Sequence, residues 1–562
     1  MTRSQTPSGG GKTIGDTKSI EQTNEKNIIS SDSSSTRSTS NTNINGATPK
    51  DDDESPTSEK DDTTTEEYPT GFRLFFILLA LGLSIFLASL DMTIVATAIP
   101  KITDEFRGLD KVSWYSTAFF MTNGGFQSSW GKAYKYFNLK FTFLASVFVF
   151  ELGSLICAVA RDSTTFIIGR AINGLGAAGI GTGAYTIIAF VAEPQKRASY
   201  TGIIGASYGM ASVIGPLVGG VFSDKVSWRW CFWINLPVGG LGAAIIVLFF
   251  QAPSSARPVA ASWPERLLQM DLVGACILVG ATLCYLLALQ YGGQSLPWDD
   301  KTVIGLLVGF VTIGAAFVGW EWRLDERAMI VPRLFKKRAI GMSTMFIFFF
   351  GGPYYLTIYY LPIYFQSVGG STAIMSGVKN LPLILAVTIS MIVSGIFISA
   401  TGHGVPVMIF GSTLAVIGAG LLYTLDVDSS MGEWIGYQIL GGIGWGVALQ
   451  VPIIVSQAMF QCLGGTMFNS AAQAAFVNSM IRTLPSDVPG IGVQAVVQTG
   501  ATEIRDVFSS SEVVGIVASY MTGLKLTFAI AIAGAGLGVV ASICNDHQRL
   551  GKEAVKDTGA VA

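Results

Sequence analysis

Charge is what this chain is short of. Of its 562 residues only 13% are Asp, Glu, Lys or Arg, about half the ~25% share of an average soluble domain. Histidine is nearly absent: His403 and His547 are the whole supply, too few and too far apart for a zinc ligand set or a His-based nucleophilic triad. The six cysteines, Cys157, Cys231, Cys276, Cys284, Cys462 and Cys544, lie in or beside apolar runs and have no metal-ligand spacing; they read as plain core or lipid-facing residues. A net charge of −2 carries no basic footprint for nucleic acid. These absences argue against an enzyme, a bound cofactor and a metal. What is abundant is apolar surface and glycine. Half the residues are hydrophobic and 65 are Gly, the composition of a polytopic helical membrane protein, in which small residues let helices approach closely.

Residues 1–70 are of another kind. The stretch "SSDSSSTRSTSNTNINGATPKDDDESPTSEKDDTTTEE" is rich in Ser, Thr, Asn and Asp and cannot bury enough apolar surface to offset its ordering entropy, so a disordered tail is expected. No apolar run lies near Met1, so no cleavable signal peptide is expected. The "GGGKT" at Gly9–Thr13 is not a Walker A loop: the Gly it needs three residues earlier is Thr6, and no strand precedes it.

From Phe72 onward, apolar runs of about 20 residues recur, each long enough to cross a hydrocarbon core ~30 Å thick. The spans read as 73–98, 113–130, 141–160, 164–190, 200–222, 231–250, 271–291, 302–320, 341–366, 374–398, 405–424, 433–457, 462–481 and 523–544. With an internal N-terminus, the segments left inside hold more Lys and Arg, above all "RLDERAMIVPRLFKKR". Both termini are therefore expected in the cytosol.

Inside this frame, "GLGAAG" at Gly174–Gly179 matches the dinucleotide fingerprint by letter only. That fingerprint needs a strand before it and a helix after it. Here both flanks belong to one apolar helix, and small residues at helical spacing read as helix packing. Arg170, a few residues ahead of it, is a charge inside a span, which costs roughly 2.5–3.5 kcal/mol on insertion scales. Either it snorkels outward to water or it faces a polar cavity and has a partner. Asp91 in "LASLDMTIVATAIP" is the partner at matching depth. Glu151 in "FVFELGSLICA" falls near the midplane, as a proton carrier or as a protonated acid joining two helices. "ASVIGPLVGGVFSD" places Gly215, Pro216, Gly219 and Gly220 inside a span, a combination suited to bending and close crossing. "WGKAYKYFNLK", with Gly131, Lys132 and Lys140, reads as a short basic loop between spans two and three.

Taken in order, "LDMTIVATAIPKITDEF", "VSWYSTAFF", "GRAINGLGAAGI", "YTGIIGASYGMASVIGPLVGG", "VSWRWCFWINLPVG", "ASWPERLLQMDLVG" and "YYLPIYFQSVGGSTAIMSGVKNLP" resemble the major facilitator superfamily, in the fungal branch of fourteen-span drug:proton antiporters. The resemblance implies an all-α fold of two six-helix bundles, 71–250 and 331–545, joined by 251–330 with two extra spans, and tails at 1–70 and 546–562. It implies a small-molecule substrate bound between the bundles and access that alternates by rocking. The family's coupling arginine motif falls on Arg170, its first-span aspartate motif on Asp91, its antiporter motif on Gly215, Pro216, Gly219 and Gly220, and its loop motif on Gly131–Lys140. The loop departs from the family pattern, with Lys135 where an acid stands and Asn138 where a Gly stands. The stretch "VSQAMFQCLGGTMFNSAAQAAF" is shorter than the family's. It predicts a shortened thirteenth span after a tight turn near Gln461, or an exon missing from the gene model.

The function expected is proton-driven export of small, largely apolar organic compounds such as toxins, drugs or secondary metabolites. The expected carrier is a monomer in the plasma membrane, with the vacuolar membrane as the alternative. A carrier of a polar solute, a basic amino acid or a siderophore, would favour acids in the C-terminal spans, where Lys379 and, at the first residue of span twelve, Glu433 are the only charges in spans nine to twelve. A membrane enzyme would need a cluster that lone His403 does not supply. A transporter-like nutrient sensor would use the long N-terminal tail.

Overall fold

A backbone crossing hydrocarbon must satisfy its own N–H and C=O groups, which favours helices. The computed structural model describes residues 69–546, apart from 107–110, 194–196, 254–255, 456–457 and 500–503. The two tails expected from the sequence fall almost wholly outside these residues. The long helices are α1 (Gly71–Phe106), α2 (Val112–Tyr136), α3 (Leu139–Val159), α4 (Ser163–Val191), α5 (Arg197–Lys225), α6 (Asn235–Phe249, with the short helix Trp230–Trp233 before it), α7 (Leu272–Tyr291) and α8 (Lys301–Leu324). They continue as α9 (Arg338–Ile363), α10 (Ala373–Thr401), α11 (Gly404–Tyr423), α12 (Met431–Val455), α13 (Ala458–Asp487) and α14 (Ser510–Ile543). Among the described residues, 11 helical segments are long and apolar enough to cross a membrane by length and composition alone; α2, α12 and α13 have the length but fall outside that set.

The packing falls into two bundles and a pair. In the first, α4 packs on α2 and α3, and α1 on α5 and α6. In the second, α12 packs on α10 and α11, while α9, α13 and α14 pack on one another. The inserted α7 and α8 pair with each other, and α7 lies on both α2 and α13. The bundles meet along α2–α13 and α5–α10, with α1 against α9.

The small residues of "GLGAAG" are helix contacts. A Cβ on Gly174 would run into the Phe119 carbonyl and Thr122 of α2; one on Gly176 would strike the backbone of Phe150 on α3. Only a bare Cα lets α4 lie this close to both neighbours at once.

Two expectations are corrected. The segment Trp130–Lys140 is mostly not a loop. Helix α2 runs on to Tyr136, and Asn138 starts α3 by accepting the N–H groups of Lys140 (3.1 Å) and Phe141 (3.3 Å) through its side-chain oxygen. An Asn at this position is a strong N-cap, so two residues suffice for the turn. The thirteenth span is not shortened: α13 has 30 residues, and Gln461 lies inside it rather than in a turn. Its polar side chains are absorbed by neighbours. Asn478 donates to the Gly292 carbonyl at 3.1 Å, and Gln473 accepts from Tyr360 at 3.0 Å, so low hydropathy did not prevent a full-length helix.

Candidate functional site

The first bundle closes around a charge. Arg170 on α4 is fully buried, so its guanidinium does not snorkel outward. It donates through Nη1 to Asp91 Oδ2 of α1 and through Nε to the Tyr115 carbonyl of α2 at 2.9 Å. The Phe119 ring lies beneath it, 4.6 Å from Cζ to the ring centroid. Asp91 is also fully buried, and its second oxygen accepts from Asn235 of α6 at 3.5 Å. Asn235 donates in turn to Ser154 Oγ of α3 at 3.0 Å, and Asn173, one turn along α4 from Arg170, donates to the same hydroxyl at 2.8 Å. One ion pair thus ties α1, α2, α4 and α6, and one serine hydroxyl ties α3, α4 and α6.

The site has spare hydrogen-bonding capacity. Arg170 Nη2 has no partner, and neither carboxylate oxygen of Glu151 has one. Glu151 is one turn before Ser154 on α3. Its carboxylate lies against Gly239, where a side chain on α6 would collide with it. Asp91 is within its electrostatic range. The sequence pointed to Asp91, Arg170 and Glu151; it did not single out Tyr115, Ser154, Asn173 or Asn235. Tyr115 acts through its carbonyl, which no sequence motif reports. The two asparagines were visible as amides inside apolar runs, where an unpaired amide is costly.

The glycine–proline helix sits behind this pair. Gly215 and Gly219 of α5 take the side chain of Thr93 and the backbone at Ile94 of α1 into their open Cα positions, one turn beyond Asp91. Thr97 donates to the Pro216 carbonyl at 3.4 Å. Gly220 faces the other way. A Cβ there would lie 2.7 Å from the Ala373 carbonyl and from Ile374 Cα of α10, and Asp224 accepts the Ile374 N–H at 2.8 Å. A single helix therefore touches the ion-pair helix on one side and the second bundle on the other.

The loop-motif residues go elsewhere. Lys132 Nζ donates to the Arg327 and Ala328 carbonyls, the latter at 2.9 Å, beyond the end of α8. Lys140 donates to the Val247 carbonyl at 2.8 Å, near the end of α6. Gly131 leaves ordinary space beside Thr182.

The family profile described as Major Facilitator Superfamily matches residues 81–486. The chain belongs to this superfamily. Within it, the chain is 51% identical over 500 residues to the MFS-type transporter grgE of a Penicillium species, covering 86% of this chain and 88% of the other. It is 49% identical to the probable efflux pump gsfJ of Penicillium aethiopicum, with 88% and 92% covered. It is 40% identical to the MFS-type efflux pump MFS1 of Arthroderma benhamiae, with 85% and 92% covered. These relatives place it in the fungal efflux-pump branch. Among solved structures, the inward-facing, unoccupied bacterial homolog of the human lysosomal transporter Spinster superposes with a TM-score of 0.57 at 14% identity, covering 85% of this chain and 98% of that one. That likeness speaks for the major facilitator fold alone.

Proposed function

We propose that this chain is a proton-driven exporter of small, largely apolar organic compounds, with Asp91, Arg170 and Glu151 as its coupling groups. The buried Asp91–Arg170 pair beside the partnerless carboxylate of Glu151 is the observation that carries the reading. Removing the charge of one member of a buried pair leaves the other uncompensated and costs several kcal/mol. A proton on Asp91 therefore loosens the α1–α4 tie. Glu151 is the nearby carboxylate able to take a share of the guanidinium, whose Nη2 is free for it. Because α5 packs its glycines on α1 just beyond Asp91 and its Asp224 end on α10, a shift of α1 reaches the seam between the bundles. Proton entry and rocking are linked through that helix.

The relatives named efflux pumps support the outward direction. We place both termini in the cytosol, on the Lys and Arg distribution, and the working unit in the plasma membrane as a monomer. The test uses cells that overproduce the chain, loaded with a fluorescent lipophilic compound. Efflux should be faster than in cells without the chain and should stop when a protonophore collapses the gradient. Efflux that survives the protonophore would sink proton coupling. A tagged chain found on vacuoles would move the site of action there.

A further inference from the structure

A groove of about 490 Å³ lies away from the seam between the bundles. Its walls come from α7, the turn after α7, α13 and α14; among the described residues, none comes from the first bundle. Along α13, Ala471, Ala475 and Arg482 line it at helical spacing, on one face. Leu289 of α7 and Leu526 of α14 supply apolar walls. Leu526 stands near the middle of α14 and is 43% exposed. An exposed leucine at that depth meets hydrocarbon rather than water, so the groove opens to lipid.

The polar end of the groove has one group left over. Asn478 is spent on the Gly292 and Ala474 carbonyls at 3.1 and 2.8 Å, and Thr483 gives its hydroxyl to the Ser479 carbonyl at 3.1 Å. Asp487, further along α13, accepts from Ser519 at 2.6 Å. Arg482, within the last two turns of α13, is exposed and has no hydrogen bond or ion pair among the described residues. Beside it in the groove is Trp298, whose ring lies over Gly292 and is 42% exposed. Tryptophan collects at the headgroup level of a bilayer, which puts Arg482 at that level too.

We infer that this groove binds a glycerophospholipid, with its phosphate on Arg482 and one acyl chain along the alanines of α13 between α7 and α14. A guanidinium meets phosphate oxygens through two parallel N–H groups. A soluble phosphate ester would gain nothing from the alanine floor, and a lipid without phosphate would leave the guanidinium unmatched. Because α7 packs on α13, the lipid is part of the joint between the inserted pair and the second bundle.

The test uses the purified full chain in dodecyl maltoside, a phosphatidylcholine carrying a diazirine in one acyl chain, light, and peptide mapping of the label. Label should fall around Ala471 and Ala475, several-fold above the stretch of α3 around Phe148, whose exposed ring reports ordinary contact with lipid. Arg482→Gln should cut labelling of the groove about tenfold, the loss of one charge-assisted contact. A diacylglycerol with the same diazirine chain should label the groove as weakly. Ala475→Phe fills the floor and should remove the label; if it fails to fold, Arg482→Gln, at an exposed position, still decides. Groove labelling no higher than at Phe148, labelling unchanged in Arg482→Gln, or equal labelling by the diacylglycerol overturns the inference. Displacement of the label by excess glycerol phosphate overturns it in favour of a soluble ester. The label reads binding alone, so each of these results leaves the export reading untouched.

Discussion

At the scale of single residues, the decisive fact is that Arg170 and Asp91 are buried together. Arg170→Ala leaves a buried carboxylate with one long hydrogen bond from Asn235. It should cost about 3–5 kcal/mol of stability and abolish transport. The double variant Arg170→Ala, Asp91→Asn removes both charges and should recover most of the stability but none of the transport, checked by thermal unfolding in detergent beside an efflux assay. A double variant as unstable as the single one would mean the pair is not what holds these helices. Arg170→Lys should fail as well, since one ammonium cannot meet both Asp91 and the Tyr115 carbonyl in the geometry of a guanidinium fork. Glu151→Gln keeps shape and removes the titration. It should leave unfolding unchanged and shift the pH profile of transport; an identical profile would reduce Glu151 to a packing residue.

At the scale of elements, the glycines of α5 and α4 differ in what surrounds them. Gly219→Val drives methyl groups into the Ile94 carbonyl and Thr97 of α1 and should destabilise by about 1–3 kcal/mol, as overpacking does. Gly181→Ala on α4 meets nothing within 4 Å and should raise stability by about 0.5–1 kcal/mol through helix propensity. Unfolding midpoints of the two variants moving in the same direction would refute the packing account. The inserted pair is held by a separate polar knot. Asp271 accepts from Trp320 (2.9 Å) and from the Met329 N–H (3.1 Å), and Glu321 accepts the Ile330 N–H (2.6 Å). Lys132 reaches this same turn, so this one basic residue of the α2–α3 corner serves the joint to the inserted helices. That role was hidden in the sequence, where Lys132 and Asp271 are far apart.

At the scale of the whole molecule, rocking requires the α5–α10 seam to part. Cysteines placed at Asp224 and Ile374, in a chain whose exposed Cys276 and Cys544 are changed to Ser, should be joined by a short reducible bis-thiol reagent. Transport should stop on linking and return on reduction. Full activity of the linked protein would show that this seam stays closed during the cycle.

How much was legible follows from range. Helix identity, length and order are local: a run of about 20 apolar residues satisfies its own backbone and little else competes. The sequence alone therefore determined an all-helical protein of many membrane-spanning runs, the small-residue meaning of "GLGAAG", and three charged residues set inside apolar runs. Local hydropathy misjudged α13, because its Asn478 and Gln473 are paid for by partners on distant elements. Tertiary structure alone decided which charge faces which. Asp91, Arg170, Ser154, Asn173 and Asn235 come from four helices, and only the packing of α1, α3, α4 and α6 brings them to one point.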